Sequence, residues 1–88
     1  MLIVYGSKQC PDVAACREDL DMAGVPYEYR DIGEELLYLK EFLKYRDTEP
    51  AMQRIKAEGK IGIPCMIDPA GEVTLDWQRF LENDRSGR

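Results

Sequence analysis

The first 32 residues of the chain change their hydrophobic pattern twice, and this order limits the fold more than any other feature. Residues 2–5 form a short apolar, β-prone run that a Gly-Ser pair ends, which predicts a buried strand. From Pro11 to Gly24 apolar residues recur at spacings of three and four, which predicts an amphipathic helix. Residues 25–32 alternate between aromatic and polar side chains, as a second strand does. A strand, a helix and a strand in this order predict a right-handed parallel crossover.

The rest of the chain predicts further helices and a hairpin. Two β-prone runs, 61–67 and 72–75, flank a turn-forming Asp-Pro-Ala-Gly segment and so predict two antiparallel strands. Helices are predicted at 34–45, 50–59 and 77–83. The apolar stripe predicted for the first of these helices comprises Leu36, Leu37, Leu39, Phe42 and Leu43. The expected fold is therefore α/β, a four-stranded mixed sheet with helices on both faces.

Size and charge narrow the classes of protein and partner. Eighty-eight residues suffice for a single domain, predicted over 1–84 and followed by a polar tail over 85–88. The net charge of −5 and the lack of a basic cluster argue against nucleic acid and anionic membranes as partners. The N-terminus lacks the pattern of a secretory signal, and no apolar run approaches the roughly 20 residues of a membrane helix. With an odd number of cysteines, the chain is expected in the cytoplasm with free thiols, and its small size favours a monomer.

Thiols are the residues best suited to chemistry, because the chain contains no histidine. That absence excludes Ser-His and Cys-His nucleophile pairs and histidine zinc sites. The three cysteines include no close C-x-x-C pair, so no metal site is expected. A phosphatase loop would need an arginine six residues after its cysteine, where this chain has Cys16.

Cys10 is the candidate nucleophile. It lies between the first predicted strand and the helix that begins at Pro11. The N-terminal end of a helix carries unsatisfied N–H groups and the positive end of the dipole, and both favour a negatively charged group such as a thiolate. Lys8 would add to this effect, and Asp12 would oppose it.

The other two cysteines have different expected roles. Cys16 lies on the apolar stripe of its helix and is expected in the core. A disulfide between Cys10 and Cys16 is excluded, because six helical residues separate them by about 9 Å along the axis, whereas a disulfide tolerates roughly 7 Å between Cα atoms. Cys65 has two interpretations, a core residue of a buried strand or a resolving thiol for Cys10. The acidic residues Asp31, Glu34 and Glu35 are expected to form a solvated face, and Trp77 is expected in the core.

Three segments together resemble the glutaredoxin-related proteins of the thioredoxin superfamily. They are residues 4–12 with Cys10-Pro11, residues 24–32, and Gly62-Ile63-Pro64 before the hairpin. The resemblance implies a thioredoxin-like (glutaredoxin) fold, in which the peptide bond before Pro64 is cis and faces Cys10. It also implies a thiol-disulfide oxidoreductase, in which the Cys10 thiolate attacks a disulfide-containing protein or a glutathione mixed disulfide.

The same resemblance implies a set of site residues and a co-substrate. The residues expected to bind the thiol substrate are Lys8, Pro11, Asp12, Ile63 and Pro64. Val13 stands where glutaredoxins carry the second cysteine of Cys-Pro-x-Cys, so an external thiol would resolve the intermediate. Glutathione or another low-molecular-weight thiol is the expected co-substrate, and no tightly bound cofactor is expected. The alternative hypothesis is a non-catalytic thioredoxin-fold module that binds a partner or senses oxidation.

Overall fold

The structure is a computed structural model, and it describes the backbone of residues 1–86 and the side chains of residues 1–83. Its elements are β1 (Leu2–Gly6), α1 (Pro11–Met22), β2 (Tyr27–Asp31), α2 (Leu36–Thr48), a 3-10 helix (Pro50–Met52), α3 (Gln53–Ala57), β3 (Cys65–Ile67), β4 (Val73–Thr74) and α4 (Trp77–Ser86). No helix within residues 1–86 combines the length and the apolar character that a membrane span requires.

The four strands form one mixed sheet in the order β2-β1-β3-β4. β1 pairs in parallel with β2, as the crossover predicts, while β3 is antiparallel to both β1 and β4. Tyr5 of β1 stands opposite Arg30 on one side and Cys65 on the other. The predicted α/β architecture with a four-stranded mixed sheet is confirmed.

Helices cover both faces of this sheet and produce two cores. Successive side chains of a strand point to opposite faces, so Val4 and Met66 lie on one face and Tyr5 and Cys65 on the other. The first core, beneath α1 and α4, comprises Leu2, Val4, Cys16, Leu20, Met66 and Leu81. The second core, beneath α2 and the 3-10 helix, comprises Tyr5, Phe42, Met52, Cys65 and Ile67. Burying each large apolar side chain contributes about 1.5–3 kcal/mol to stability.

The apolar stripe predicted for α2 is wrong. Of its members Phe42 is buried, whereas Leu36 is 65% exposed, Leu37 61% and Leu43 39%. The amides of Glu34 and Glu35 both donate to the carbonyl of Asp31 at 3.3 Å, so a turn replaces the first predicted helical residues and α2 begins at Leu36. Adjacent leucines spread around a helix, and the sheet covers the side that carries Phe42.

Two other predicted boundaries also differ from the structure. The strand predicted at 61–67 is reduced to Cys65–Ile67, because Gly62 has a φ of +98°. A positive φ takes the backbone out of the strand conformation. At the C-terminus, α4 continues through Ser86 into the predicted tail, while residues 87–88 lie outside the described part of the chain.

Gly6 ends β1 where α1 packs closely against the strand, and this contact gives a stability prediction. A Cβ atom at Gly6 would lie 2.6 Å from Cγ1 and 2.9 Å from Cγ2 of the buried Val13. Gly6→Ala is therefore expected to lower the free energy of unfolding by about 1–3 kcal/mol, as overpacking does, measured by urea denaturation. Val13→Ala removes both methyl groups. Adding Gly6→Ala to the Val13→Ala variant should therefore lower the free energy of unfolding much less than adding it to the wild type. Additive losses would contradict this interpretation.

Candidate functional site

Cys10 occupies the position just before the first turn of α1. Its backbone is extended, with φ −95° and ψ 118°, and its carbonyl accepts hydrogen bonds from the amides of Val13 and Ala14 at 3.1 and 3.3 Å. Its own amide donates to the carbonyl of Ser7 at 3.1 Å. The side chain forms no capping hydrogen bond and is half-buried. The thiol therefore lies at the positive end of α1, accessible from solvent and not occupied in capping the helix.

A groove of about 630 Å³ opens beside this thiol. Besides Cys10, its walls include Asp12, Lys60, Ile63, Pro64, Leu75 and Trp77. The peptide bond between Ile63 and Pro64 is cis, which confirms the prediction for this bond. Two loops that lie far apart in the sequence thus meet at one groove, because β1 and β3 are neighbouring strands of the sheet.

The groove combines apolar walls with charges of opposite sign. Ile63, Pro64 and Trp77 contribute apolar surface, while Asp12 carries a negative and Lys60 a positive charge. Its volume falls in the range of about 300–1,000 Å³ that is typical of small-molecule sites. The ammonium group of Lys60 also forms an ion pair with Glu58 at 3.1 Å. The groove thus offers apolar surface and charges of both signs beside the thiol.

Trp77 packs against the first core and also lines the groove. Sequence reasoning assigned it to the core, and it does pack against the first core beside α1 and α4. It also lines the groove, and its indole Nε1 donates to Oδ2 of Asp19 at 2.8 Å. That hydrogen bond fixes the ring on α1, the helix that follows Cys10.

The structure does not bring two of the predicted substrate-binding side chains into the groove. The ammonium group of Lys8 donates a hydrogen bond to Glu34 in an exposed ion pair, and this hydrogen bond raises the pKa of Lys8. Pro11 forms the first residue of α1. Neither is among the groove-lining residues in the described part of the chain. Their roles in binding stay predictions, while Cys10, Asp12, Ile63 and Pro64 share one groove.

Cys16 and Cys65 differ sharply from Cys10 in their surroundings. Both have an exposed fraction of 0%, and they lie in the two separate cores. Burial raises the pKa of each thiol to about 12, and the nearby carboxylates of Asp19 and Glu49 act in the same direction on Cys16 and Cys65 respectively. The core position expected for Cys16 is confirmed. For Cys65, the surroundings favour the core interpretation, and a resolving role stays a prediction.

Asp31 was assigned to a solvated face, and that prediction is wrong. Its exposed fraction is 5%, whereas Glu34 and Glu35 are exposed as expected. Burial alone would raise the pKa of Asp31, but hydrogen bonds from the Gly33 amide, the Tyr29 hydroxyl and the Lys8 amide outweigh it, so the pKa is lowered. A sequence signal existed, because an aspartate two residues before a glycine is typical of a turn that its carboxylate closes.

The structure gives no sign of a metal centre in the part of the chain that it describes. No group of three His, Cys, Asp or Glu side chains there is arranged to hold a metal ion.

Comparisons with known proteins agree with this fold. No protein-family model matches the sequence. Among solved structures, an epsilon-class glutathione S-transferase from the housefly Musca domestica is similar over 99% of this chain, with a TM-score of 0.62 and 24% identity. Glutathione Transferase E6 from Drosophila melanogaster is similar over 99% of the chain, with a TM-score of 0.56 and 18% identity. The chain spans 35% and 34% of the lengths of these two transferases, and the likeness establishes a thioredoxin-like fold.

At the level of sequence, the chain is similar to an uncharacterized protein of Haemophilus influenzae. The two are 38% identical over 78 residues, which is 89% of this chain and 91% of the other protein. The match thus extends over nearly the whole of both proteins. The chain is a thioredoxin-fold protein and belongs to the same family as this Haemophilus influenzae protein.

Proposed function

We propose that the protein is a glutaredoxin-like thiol-disulfide oxidoreductase with Cys10 as its nucleophile. The observation that carries the proposal is the groove shared by the half-buried Cys10 thiol and the cis Ile63-Pro64 bond. The contrast with Cys16 and Cys65 supports it, because both of those thiols are buried and resist ionisation. Thiolates attack disulfides and thiols do not.

The proposed reaction has two exchange steps. In the first, the Cys10 thiolate attacks the glutathione sulfur of a protein–glutathione mixed disulfide. The new bond joins Cys10 to glutathione, and the protein thiolate leaves and takes up a proton. In the second, the thiolate of another glutathione attacks the glutathione sulfur on Cys10, which forms glutathione disulfide and frees Cys10. The protein sulfur is reduced and the sulfur of the second glutathione is oxidised to the same extent. The sulfur of the first glutathione stays at the disulfide level, and the second glutathione supplies the proton.

The proposed roles of the surrounding groups follow from their position. The N-terminal end of α1 favours negative charge at Cys10 during attack and departure. The leaving thiolate takes its proton from water or through Asp12, whose side chain lines the groove. The backbone of Ile63 is proposed to pair with the extended backbone of the substrate, as added-strand recognition does.

Two observations support glutathione as the thiol partner. The two similar solved structures are, by their descriptions, glutathione transferases. The groove carries Asp12, which suits the ammonium group of glutathione, and Lys60, which would exchange its partner Glu58 for one of the two glutathione carboxylates. We place the protein in the cytoplasm, because the proposed reaction depends on a reducing thiol pool. A chain of 88 residues is also proposed to act as a monomer.

The proposal is tested by turnover of a glutathionylated peptide in the presence of glutathione. Glutathione disulfide is followed continuously by the NADPH oxidation that glutathione reductase produces. The expected result is a rate proportional to the concentration of the protein and well above the uncatalysed exchange. If the protein gives no rate above background and still binds the peptide after Cys10→Ser, the non-catalytic binding module is the correct account.

A further inference from the structure

The loop that carries Cys10 closes on itself through short-range hydrogen bonds. The Cys10 amide donates to the Ser7 carbonyl at 3.1 Å, and the Gln9 amide donates to the Ser7 hydroxyl at 3.2 Å. These bonds define a tight turn, but they join residues of the turn only to one another. The loop is also tied to α1 through the Cys10 carbonyl, and one further bond ties it to the sheet.

Asp31 supplies that bond from the end of β2. Its Oδ2 accepts hydrogen bonds from the Lys8 amide at 3.1 Å and from the Tyr29 hydroxyl at 2.9 Å. Its Oδ1 accepts the amide of Gly33 at 2.8 Å. One buried carboxylate thus joins the Cys10 loop, strand β2 and the turn that follows it.

An ionised carboxylate is the group that suits this position. All three partners are donors, so the group between them has to accept every hydrogen bond. The pKa of Asp31 is lowered despite its burial, in keeping with an ionised carboxylate. The site also has little spare room, because a Cβ at Gly33 would lie 3.2 Å from Oδ1 of Asp31.

Other charged groups near Asp31 are engaged with their own partners. The Lys8 ammonium pairs with the exposed Glu34 carboxylate. The Arg17 guanidinium lies over the Tyr29 ring, 3.8 Å from its centroid. The three hydrogen-bond donors are therefore the groups that hold the Asp31 carboxylate in place.

We propose that Asp31 is a positioning residue that holds the Cys10 loop at the groove through its hydrogen bond to the Lys8 amide. The proposal deepens the proposed function and rests on it for its effect on turnover. Misplacing a reacting group by about 1 Å can cost on the order of 100-fold in rate. Releasing the loop from Asp31 would therefore lower reactivity at Cys10, although Asp31 itself is not among the groove-lining residues in the described part of the chain.

The test compares Asp31→Asn with Tyr29→Phe, and Gly33→Ala is measured beside them. Asparagine keeps the size of the side chain, but only one of its two terminal atoms is an acceptor, so its NH₂ group has to face the amide of either Lys8 or Gly33, donor against donor. The hydrogen exchange of these two amides shows which bond is lost, and Gly33→Ala displaces the carboxylate from both. Phenylalanine removes a different hydrogen bond from the same oxygen and leaves the Lys8 bond intact. Three quantities are measured on each folded variant: amide hydrogen exchange, the rate of Cys10 alkylation by iodoacetamide, and kcat and KM for the glutathionylated peptide.

The expected result separates the two variants. In Asp31→Asn, exchange at the amides of Lys8 and Cys10 accelerates about tenfold, and the rate of Cys10 alkylation and kcat both fall about tenfold, while KM changes less than about twofold. In Tyr29→Phe all of these values stay within about threefold of the wild type. Equal effects in the two variants, or faster exchange in Asp31→Asn throughout the sheet with Cys10 reactivity unchanged, would overturn the proposal.

Two provisions keep the test decisive. If Asp31→Asn does not fold, Gly33→Ala replaces it, because the new Cβ would lie 3.2 Å from Oδ1 of Asp31 and push the carboxylate aside. Faster exchange at the Lys8 and Cys10 amides and slower Cys10 alkylation are again expected, with smaller amplitude. If the wild-type protein shows no turnover, the proposed function fails, but hydrogen exchange and Cys10 alkylation still decide whether Asp31 positions the loop. Unchanged exchange at Lys8 and Cys10 in both Asp31→Asn and Gly33→Ala contradicts the positioning role.

Discussion

Replacing Cys10 by serine is expected to abolish turnover of the glutathionylated peptide, with a kcat at least about 1,000-fold below that of the wild type. A serine hydroxyl does not ionise near neutral pH and cannot form the mixed disulfide. The other thiols cannot take its place, because both have an exposed fraction of 0% and a pKa of about 12. At pH 7 only about one in 10⁵ of either thiol would be ionised. The rate of NADPH oxidation measures the loss, and circular dichroism verifies the fold.

Cys65→Ala is the matched control for this loss, and it also separates two mechanisms. Resolution by an external thiol predicts that Cys65→Ala keeps kcat within about threefold of the wild type, since the substitution removes one buried sulfur from the second core. A two-cysteine cycle predicts instead that the variant accumulates glutathione on Cys10. Full activity in Cys10→Ser would contradict the nucleophile assignment, and a Cys65→Ala variant as inactive as Cys10→Ser would contradict external resolution.

The free energy of unfolding is expected to fall steeply above about pH 8.5, the ordinary pKa of a free cysteine. Burial raises the pKa of Cys16 and Cys65 to about 12, so the folded protein keeps both protons while the unfolded chain loses them. Stability is therefore complete below pH 8.5 and is lost as the pH rises toward 12, by about 1.4 kcal/mol per pH unit for each thiol. At pH 10 the two together remove about 4 kcal/mol, a large share of the roughly 5–15 kcal/mol that is typical of a folded domain.

Urea denaturation at several pH values between 7 and 10 measures this dependence, and alanine variants assign it. Cys16→Ala and Cys65→Ala should each remove about half of the slope that the thiols produce, although each variant is somewhat less stable at pH 7. Burial also raises the pKa of Tyr5 and Tyr29 to about 12, so these residues add to the slope only above about pH 10. An unchanged slope between pH 8.5 and 10 in the double variant would contradict the account of the buried thiols.

Much of the fold could be predicted because its signals are local. The apolar run before the Gly-Ser pair, the proline that opens α1 and the turn between β3 and β4 each act within a few residues. The side of α2 that packs on the sheet could not be predicted, because several leucines on one helix offer more than one apolar side. Contact with the sheet selects the side of Phe42 and leaves Leu36 and Leu37 exposed.

The site was predictable only in part. Cys10 and Pro64 were paired through a family resemblance, and the structure does place them at one groove. The surroundings of Lys8 and Asp31 could not be read from the sequence, since the direction of a charged side chain depends on which partner the fold brings near. Lys8 meets Glu34 across the surface, and Asp31 meets three donors in the interior. Lys60 was not singled out, because a lysine near a glycine in a loop carries no specific signal.

The most direct test of the central claim is to trap the reactive thiol in the native protein. The folded protein is incubated with glutathione disulfide, quenched in acid and mapped by fragment-ion mass spectrometry, with an unfolded sample as the control. The account predicts one glutathione per chain on Cys10, with Cys16 and Cys65 unmodified until the protein unfolds. No adduct on Cys10, or an adduct on either buried cysteine of the folded protein, would contradict it.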